Sequence, residues 1–441
     1  MAISQKQFFR YSILLVLLLG FGLRVALVVQ GQPLQIKWDE KAYVRRAERI
    51  IENPFQYRDL LRAPVYPAFL AGVSHIAGSS RFSAGILQAL LSTFLIAAIF
   101  TLSRVLFARR DVALLAALFT ALYLEFITLA RLFMSETLFI TLSVFGVTIL
   151  FHALKRERAW EFLAAGVVLA LAAQTRELLS YFAVLVLPVW LAFVSLKQPR
   201  PMLLHVAALV LGLSIVFVPW VTRNWNLEGR LILSTTHSEI DLLRDNWRIE
   251  LAAQGAPLTD AEGAEMKSRV RRELAAQPRS ERSMFVLRRA FEAMFNYPRE
   301  WIQDKFSRLE AFWLPFALQA RVVRLENIEP AWRDVLQGVV SYSAVALLLL
   351  GTFGMLLARD DAPKLLIALY ILYSLVIFLM THYLPRFRLP LLIFLIPYAA
   401  FAMFKLGEWL RAPNAHIFLK YPARTFACVI LLGLFAILVL R

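Results

Sequence analysis

Two kinds of side chain recur along this sequence in short polar strings set between apolar stretches: carboxylates that can take a proton and arginines that can hold an anion. Asp39 and Glu40 stand in Lys-Trp-Asp-Glu-Lys-Ala-Tyr, Arg62 in Arg-Ala-Pro-Val-Tyr-Pro, and Arg131 with Glu136 in Arg-Leu-Phe-Met-Ser-Glu. Arg176 and Glu177 follow in Gln-Thr-Arg-Glu, Arg223 in Pro-Trp-Val-Thr-Arg-Asn-Trp, and His382, Arg386 and Arg388 in Thr-His-Tyr-Leu-Pro-Arg-Phe-Arg. A general base needs its carboxylate within hydrogen-bond reach of the proton it removes. Guanidinium groups stabilise a departing phosphate when they are aimed at the developing charge. The chemistry within reach of such a set is proton removal beside an anion, provided the framework brings the strings together.

That framework is apolar. Of 441 residues 59% are hydrophobic and 18% charged, which excludes a water-soluble enzyme and a disordered chain. The single cysteine, Cys428, lies inside an apolar run, so there is no disulfide framework and no Cys-rich metal site. A membrane helix needs about 20 apolar residues to cross about 30 Å of hydrocarbon. Eleven runs qualify: 9–30, 84–107, 111–130, 132–153, 159–175, 178–196, 202–222, 337–358, 363–381, 388–406 and 425–440. The first lacks a small-residue cleavage site and is followed by ten more, so it reads as a retained helix rather than a signal peptide. The expected fold is an all-α polytopic membrane protein with about 11 transmembrane helices.

Basic residues orient it. Lys and Arg in the short loops divide sixteen to five between the two sides, with Arg104, Arg109, Arg110, Lys155, Arg156 and Arg158 among the majority. This puts the N-terminus in the cytoplasm and accounts for most of the net charge of +17 without nucleic acid. The expected organisation is an N-terminal transmembrane module 1–222 with a first external loop 31–83, an external helical domain 223–335, and a C-terminal transmembrane module 336–441. In the first loop Tyr43, Ala47, Ile50 and Ile51 share a helical face opposite Arg45, Arg46, Glu48, Arg49 and Glu52, the pattern of a helix lying in the membrane interface. The larger loop predicts helices over 259–276 and 280–296 and a third begun by Pro298, with Trp301, Ile302, Phe306, Leu309 and Trp313 along one stripe.

With this topology all the chemistry-bearing strings fall on the external side. A polyprenyl-phosphate sugar suits such a surface, since its lipid lies in the bilayer, its phosphate at headgroup level and its sugar outside. Each residue also has a structural reading. Asp39 can cap the helix of 40–52, and Glu136 can pair with Arg131 or Arg176. Arg223, Arg386 and Arg388 can snorkel to lipid phosphates, as can Arg24 and Glu125 near outer span ends.

The order of these strings resembles the glycosyltransferase C superfamily of lipid-linked sugar transferases, in the branch of protein O-mannosyltransferases and lipid A aminoarabinose transferases. The likeness rests on Asp39-Glu40 with Tyr43, the segment Arg62 to Leu70, Ser135-Glu136, Pro219-Trp220 leading to Arg223-Asn224 and Gly229, Tyr297-Pro298 leading to Phe312-Trp313, and Arg386-Phe387-Arg388-Leu389-Pro390. It implies a GT-C-like fold with Asp39 as catalytic base, Glu40 as the less favoured candidate and Glu136 in the same site. It also implies a donor-binding set drawn from Arg62, Tyr66, Arg131, Arg176, Arg223, His382, Arg386 and Arg388, with Arg62, Arg223, Arg386 and Arg388 on the lipid phosphate. The partners it implies are a polyprenyl-phosphate sugar, a lipid, glycan or protein acceptor, and membrane lipids.

No cofactor is firmly implied; a divalent metal stays open, although no His or Cys spacing supports one. The chain ends at the eleventh run without the soluble C-terminal domain of the aminoarabinose transferases, which leaves the acceptor class open. The absence of an ER-retention tail favours a bacterial inner membrane. Two rival readings stand beside the transferase: a lipid-linked sugar flippase, which predicts polar residues at the midplane in paired repeats, and a polysaccharide ligase or polymerase using a lipid-pyrophosphate donor.

Overall fold

In hydrocarbon every backbone amide must find its partner within its own segment, so apolar runs of this length fold as helices. The computed structural model describes residues 5–30, 36, 39–54, 57–78, 80–196, 199–255, 260–313, 329–381 and 385–411, and among these there are helices and no strands. Eight described helices are long and apolar enough to cross a membrane. They run through α1 (Gln5–Gln30), α4 (Arg81–Phe107), α7 (Glu136–Arg156), the segment Glu177–Val194 that ends in α9 (Leu187–Val194), α10 (Pro199–Glu228), α15 (Pro330–Leu357), α16 (Ala362–Met380) and α17 (Leu389–Arg411).

Of the eleven expected spans, two differ and one lies outside the described residues. Residues 111–130 break into α5 (Arg110–Leu122) and α6 (Leu124–Thr128), bent by 56°. The break at Tyr123 strands the carbonyls that would have accepted from the next turn, and Arg24 takes them over. Its Nη1 donates to Ala121 O at 3.1 Å and to Gly20 O at 2.8 Å, its Nη2 to Thr120 O at 3.2 Å, and its Nε to Ser92 Oγ at 2.7 Å. Arg24 is therefore wholly buried and does not snorkel. Glu125 is buried too, accepting from Tyr123 Oη at 2.7 Å. Arg24→Leu should lower stability by about 1–3 kcal/mol for each carbonyl left unpaired, read as an earlier thermal unfolding transition in detergent.

The expected span 159–175 is the 15-residue α8 (Ala159–Ala173), shorter than a full crossing. It meets α10 closely, since a methyl on Gly166 would strike Leu209 O and one on Gly212 would strike Leu163 O. The run 425–440 lies outside the described residues.

On the side of the long loops, α2 (Asp39–Glu52) lays Tyr43 and Ala47 against Tyr66 and Leu70 of α3 (Val65–Ala77) and against Phe133 and Leu138. The apolar face expected to lie in lipid is thus covered by protein, although Ile51 stays exposed. In the larger loop, α12 (Asp260–Ala276), α13 (Arg282–Asn296) and α14 (Pro298–Trp313) match expectation. An unanticipated α11 (His237–Ala253) precedes them. Its inward face mixes Leu243, Trp247 and Ile249 with Asp245 and Asn246, which hides the apolar period. Leu243, Val270 and Val286 form a small core there, and buried Arg308 of α14 closes it with a 2.8 Å ion pair to Asp245.

Candidate active site

Asp39 opens α2, and its carboxylate faces two guanidinium groups. Arg62 Nη2 donates to Oδ1 at 2.7 Å, and Arg386 Nη2 donates to Oδ2. Arg62 is held by its own turn. Asp59 Oδ1 accepts from the amides of Leu61 and Arg62 at 2.8 and 3.3 Å, while Asp59 Oδ2 pairs with Arg46 at 2.7 Å. The turn is stitched to the bundle by Val65 N donating to Gln174 O at 3.0 Å, and to the larger loop by Thr236 N donating to Leu60 O at 2.8 Å.

Glu136 is the first residue of α7 and almost fully buried. Arg176 Nη1 lies 2.7 Å from its Oε1 and Arg386 Nε 3.3 Å from the same atom. Both carboxylates sit at helix N-termini, where the macrodipole favours negative charge. Beneath them Tyr43 Oη and Ser135 Oγ share a hydrogen bond of 3.0 Å, Arg176 Nη1 reaches Ser135 Oγ at 3.5 Å, and Arg62 lies 5.7 Å over the Tyr43 ring. Arg176 also rests on Phe387, 5.0 Å from its centroid.

The cluster thus gathers Asp39, Glu136, Arg62, Arg176 and Arg386 from five separated places in the sequence, with one more guanidinium than carboxylate. Burial alone would raise the Asp39 carboxyl; Arg62, Arg386 and Arg176 outweigh it and hold the group well below the usual carboxylate range. The arrangement can receive an anion, and its carboxylate regains basicity when that anion draws the arginines away.

The other expected site residues lie elsewhere. Glu40 is buried, paired with Arg81 at 3.0 Å and accepting from Phe133 N at 3.0 Å, so it fastens α2 to α4 and to the turn before α7. Tyr66 is wholly buried, with its hydroxyl donating to Gln88 Oε1 at 3.2 Å and its ring edge-on to Tyr43 at 4.8 Å. Arg223 stacks 4.2 Å over Trp220 and donates to the carbonyls of Tyr57 and Asp59, which makes it a support for the turn that carries Arg62. Arg388 is buried 3.7 Å from Glu125. Snorkelling is therefore wrong for Arg388 and Glu125, because each supplies the other's counter-charge. Arg131 ends the short helical turn 129–131, and His382 lies outside the described residues.

Arg81 gave no sequence signal, being one more cation at a span end. Gln88, by contrast, stands out as an amide inside an apolar run and donates to Leu132 O at 2.7 Å. Among the described residues no three His, Cys, Asp or Glu side chains converge as metal ligands.

The buried Glu125–Arg388 pair carries its own expectation. Arg388→Met leaves a buried carboxylate without a counter-charge and should cost about 3–5 kcal/mol, while the double variant Glu125→Gln, Arg388→Met should recover most of that loss. Thermal unfolding of the three proteins decides it; an additive double variant would show that the two side chains do not interact.

Residues 61–221 match the family model described as dolichyl-phosphate-mannose-protein mannosyltransferase. The matched segment contains Arg62, Glu136 and Arg176, while Asp39 and Arg386 lie outside it. No curated protein matches the chain by sequence. One similar solved structure is ArnT from Cupriavidus metallidurans bound to undecaprenyl phosphate, with 13% identity, TM-score 0.49, and coverage of 92% of this chain and 61% of that one. Another is the Archaeoglobus fulgidus oligosaccharyltransferase tethered to an acceptor peptide, with 14% identity, TM-score 0.46, and coverage of 97% and 54%. The chain thus spans a little over half the length of these two relatives. The family match bears out the resemblance to the glycosyltransferase C superfamily read from the motifs.

Proposed function

We propose that this chain, a polytopic membrane protein whose residues 61–221 match a mannosyltransferase family, moves a sugar from a polyprenyl-phosphate donor to an acceptor hydroxyl at the Asp39 cluster. The observation that carries the reading is Arg386 bridging Asp39 and Glu136, with Arg62 and Arg176 completing a cation-rich pair of carboxylates.

The donor phosphate competes for Arg62 and Arg386. As they turn to it, Asp39 loses the charges that suppress its basicity and becomes able to accept a proton. The acceptor oxygen then attacks the anomeric carbon as its proton passes to Asp39. The bond from that carbon to the phosphate oxygen breaks, its electron pair leaves with polyprenyl phosphate, and the configuration inverts. Phosphate is a competent leaving group, so positioned guanidinium charge replaces acid catalysis. Glu136 acts through the arginines, holding Arg176 and the Nε side of Arg386. No step needs a metal.

The proposal includes the three-module organisation, an N-terminus in the cytoplasm, the cluster on the external face and residence in a bacterial inner membrane. Purified protein mixed with a polyprenyl-phosphate sugar and candidate lipid, glycan and peptide acceptors should release polyprenyl phosphate only when an acceptor is present. Passage of the intact donor across vesicles with no sugar transfer would replace the transferase with a flippase.

A further inference from the structure

Helix α13 has two apolar faces where an ordinary surface helix has one. Val286, Ala290 and Ala293 turn inward toward the core of the larger loop. On the opposite face Met284, Leu287, Phe291 and Phe295 are 69%, 48%, 53% and 72% exposed, at the spacing of one helical stripe. On α14, which follows it directly, Ile302 and Phe306 are 50% and 69% exposed one turn apart, while Lys305 and Arg308 point inward. Six large apolar side chains open to the surroundings are too many for a face meant for water.

The anchors of this helix pair say what covers it. Before α13, Arg279 Nη1 donates to Leu227 O at 3.1 Å, and at its start Arg282 Nη1 meets Glu228 Oε2 at 3.4 Å; both partners are at the very end of membrane-spanning α10. On α14, Arg308 donates to Thr381 O, immediately after membrane-spanning α16. The pair is therefore pinned at two separate points to the level at which spans leave the bilayer. Arg288, whose side chain is 79% exposed and pairs with Glu292 at 2.9 Å, stands at the edge of the stripe, where a cation suits the phosphate layer.

We propose that the outward faces of α13 and α14 insert into the acyl–headgroup boundary of the leaflet on the Asp39 side, seating the larger loop on the membrane. An interfacial helix of this kind buries its apolar face about 5–10 Å deep. The inference stands on burial and tethering alone and does not depend on the transferase reading.

The test uses the full chain with Cys428→Ser, reconstituted in lipid nanodiscs, with a polarity-sensitive fluorophore on Phe291→Cys or Phe295→Cys and, as control, on Arg271→Cys of α12. The two stripe positions should emit at shorter wavelength and lose most of their intensity when the nanodiscs carry nitroxide-labelled lipid, while the control does neither. Water-like emission from the stripe overturns the proposal. So does shifted emission that the lipid nitroxide leaves bright, which would mean that a second copy or another segment of this chain covers the face.

Discussion

Asp39→Asn should cost sugar transfer about 10²–10⁴-fold, the range expected when a positioned general base is removed. Asparagine keeps the volume and an acceptor oxygen toward Arg62, so the helix start and the turn that it faces remain in place. Polyprenyl phosphate release by the purified variant measures the loss, and an unchanged gel-filtration profile and unfolding transition show that the fold is retained. Turnover near that of the parent would remove Asp39 from the chemistry. The sign of the pH dependence follows from the same contacts. Folding depresses the Asp39 carboxyl, so its pairing contributes fully above the unfolded-state value and is lost only as pH falls through the lower folded-state value. No destabilisation from this group is therefore expected between pH 5 and 8, and a stability profile across that window checks it.

Spans were legible because the bilayer sets their length, and composition alone measures length. The kink at Tyr123 was not, because what tolerates it is Arg24, about a hundred positions away, filling the freed carbonyls. The same limit governs the site. Asp39, Arg62, Glu136, Arg176 and Arg386 could be gathered from sequence as residues of one membrane side. Which arginines face which carboxylates could not be read, because Arg386 and Arg388 lie two positions apart in a tight turn and point to different partners, one to Asp39 and Glu136 and the other to Glu125. Glu40 stands next to Asp39 in the string as the less favoured candidate, and successive helical residues diverge by about 100°, which turns it to Arg81 and the Phe133 amide. For α2, the period showed an apolar face but not whether lipid or protein would cover it.

The second large effect is expected at Arg386, where the shape of the side chain matters as much as its charge. Its Nη2 serves Asp39 while its Nε, the neighbouring donor on the same edge of the guanidinium, faces Glu136 at 3.3 Å. A lysine ammonium is a single point and cannot hold both carboxylates while offering a donor to a phosphate. Arg386→Lys should therefore lower kcat about 10²–10³-fold, as loss of a donor aimed at developing charge does. Folding should survive, since Asp39 keeps Arg62 and Glu136 keeps Arg176. The split between constants identifies when the contact matters: an interaction stronger in the transition state lowers kcat, whereas uniform binding of donor phosphate raises KM and leaves kcat alone. If Arg386→Lys changed KM only, the guanidinium would be a docking contact for the lipid phosphate.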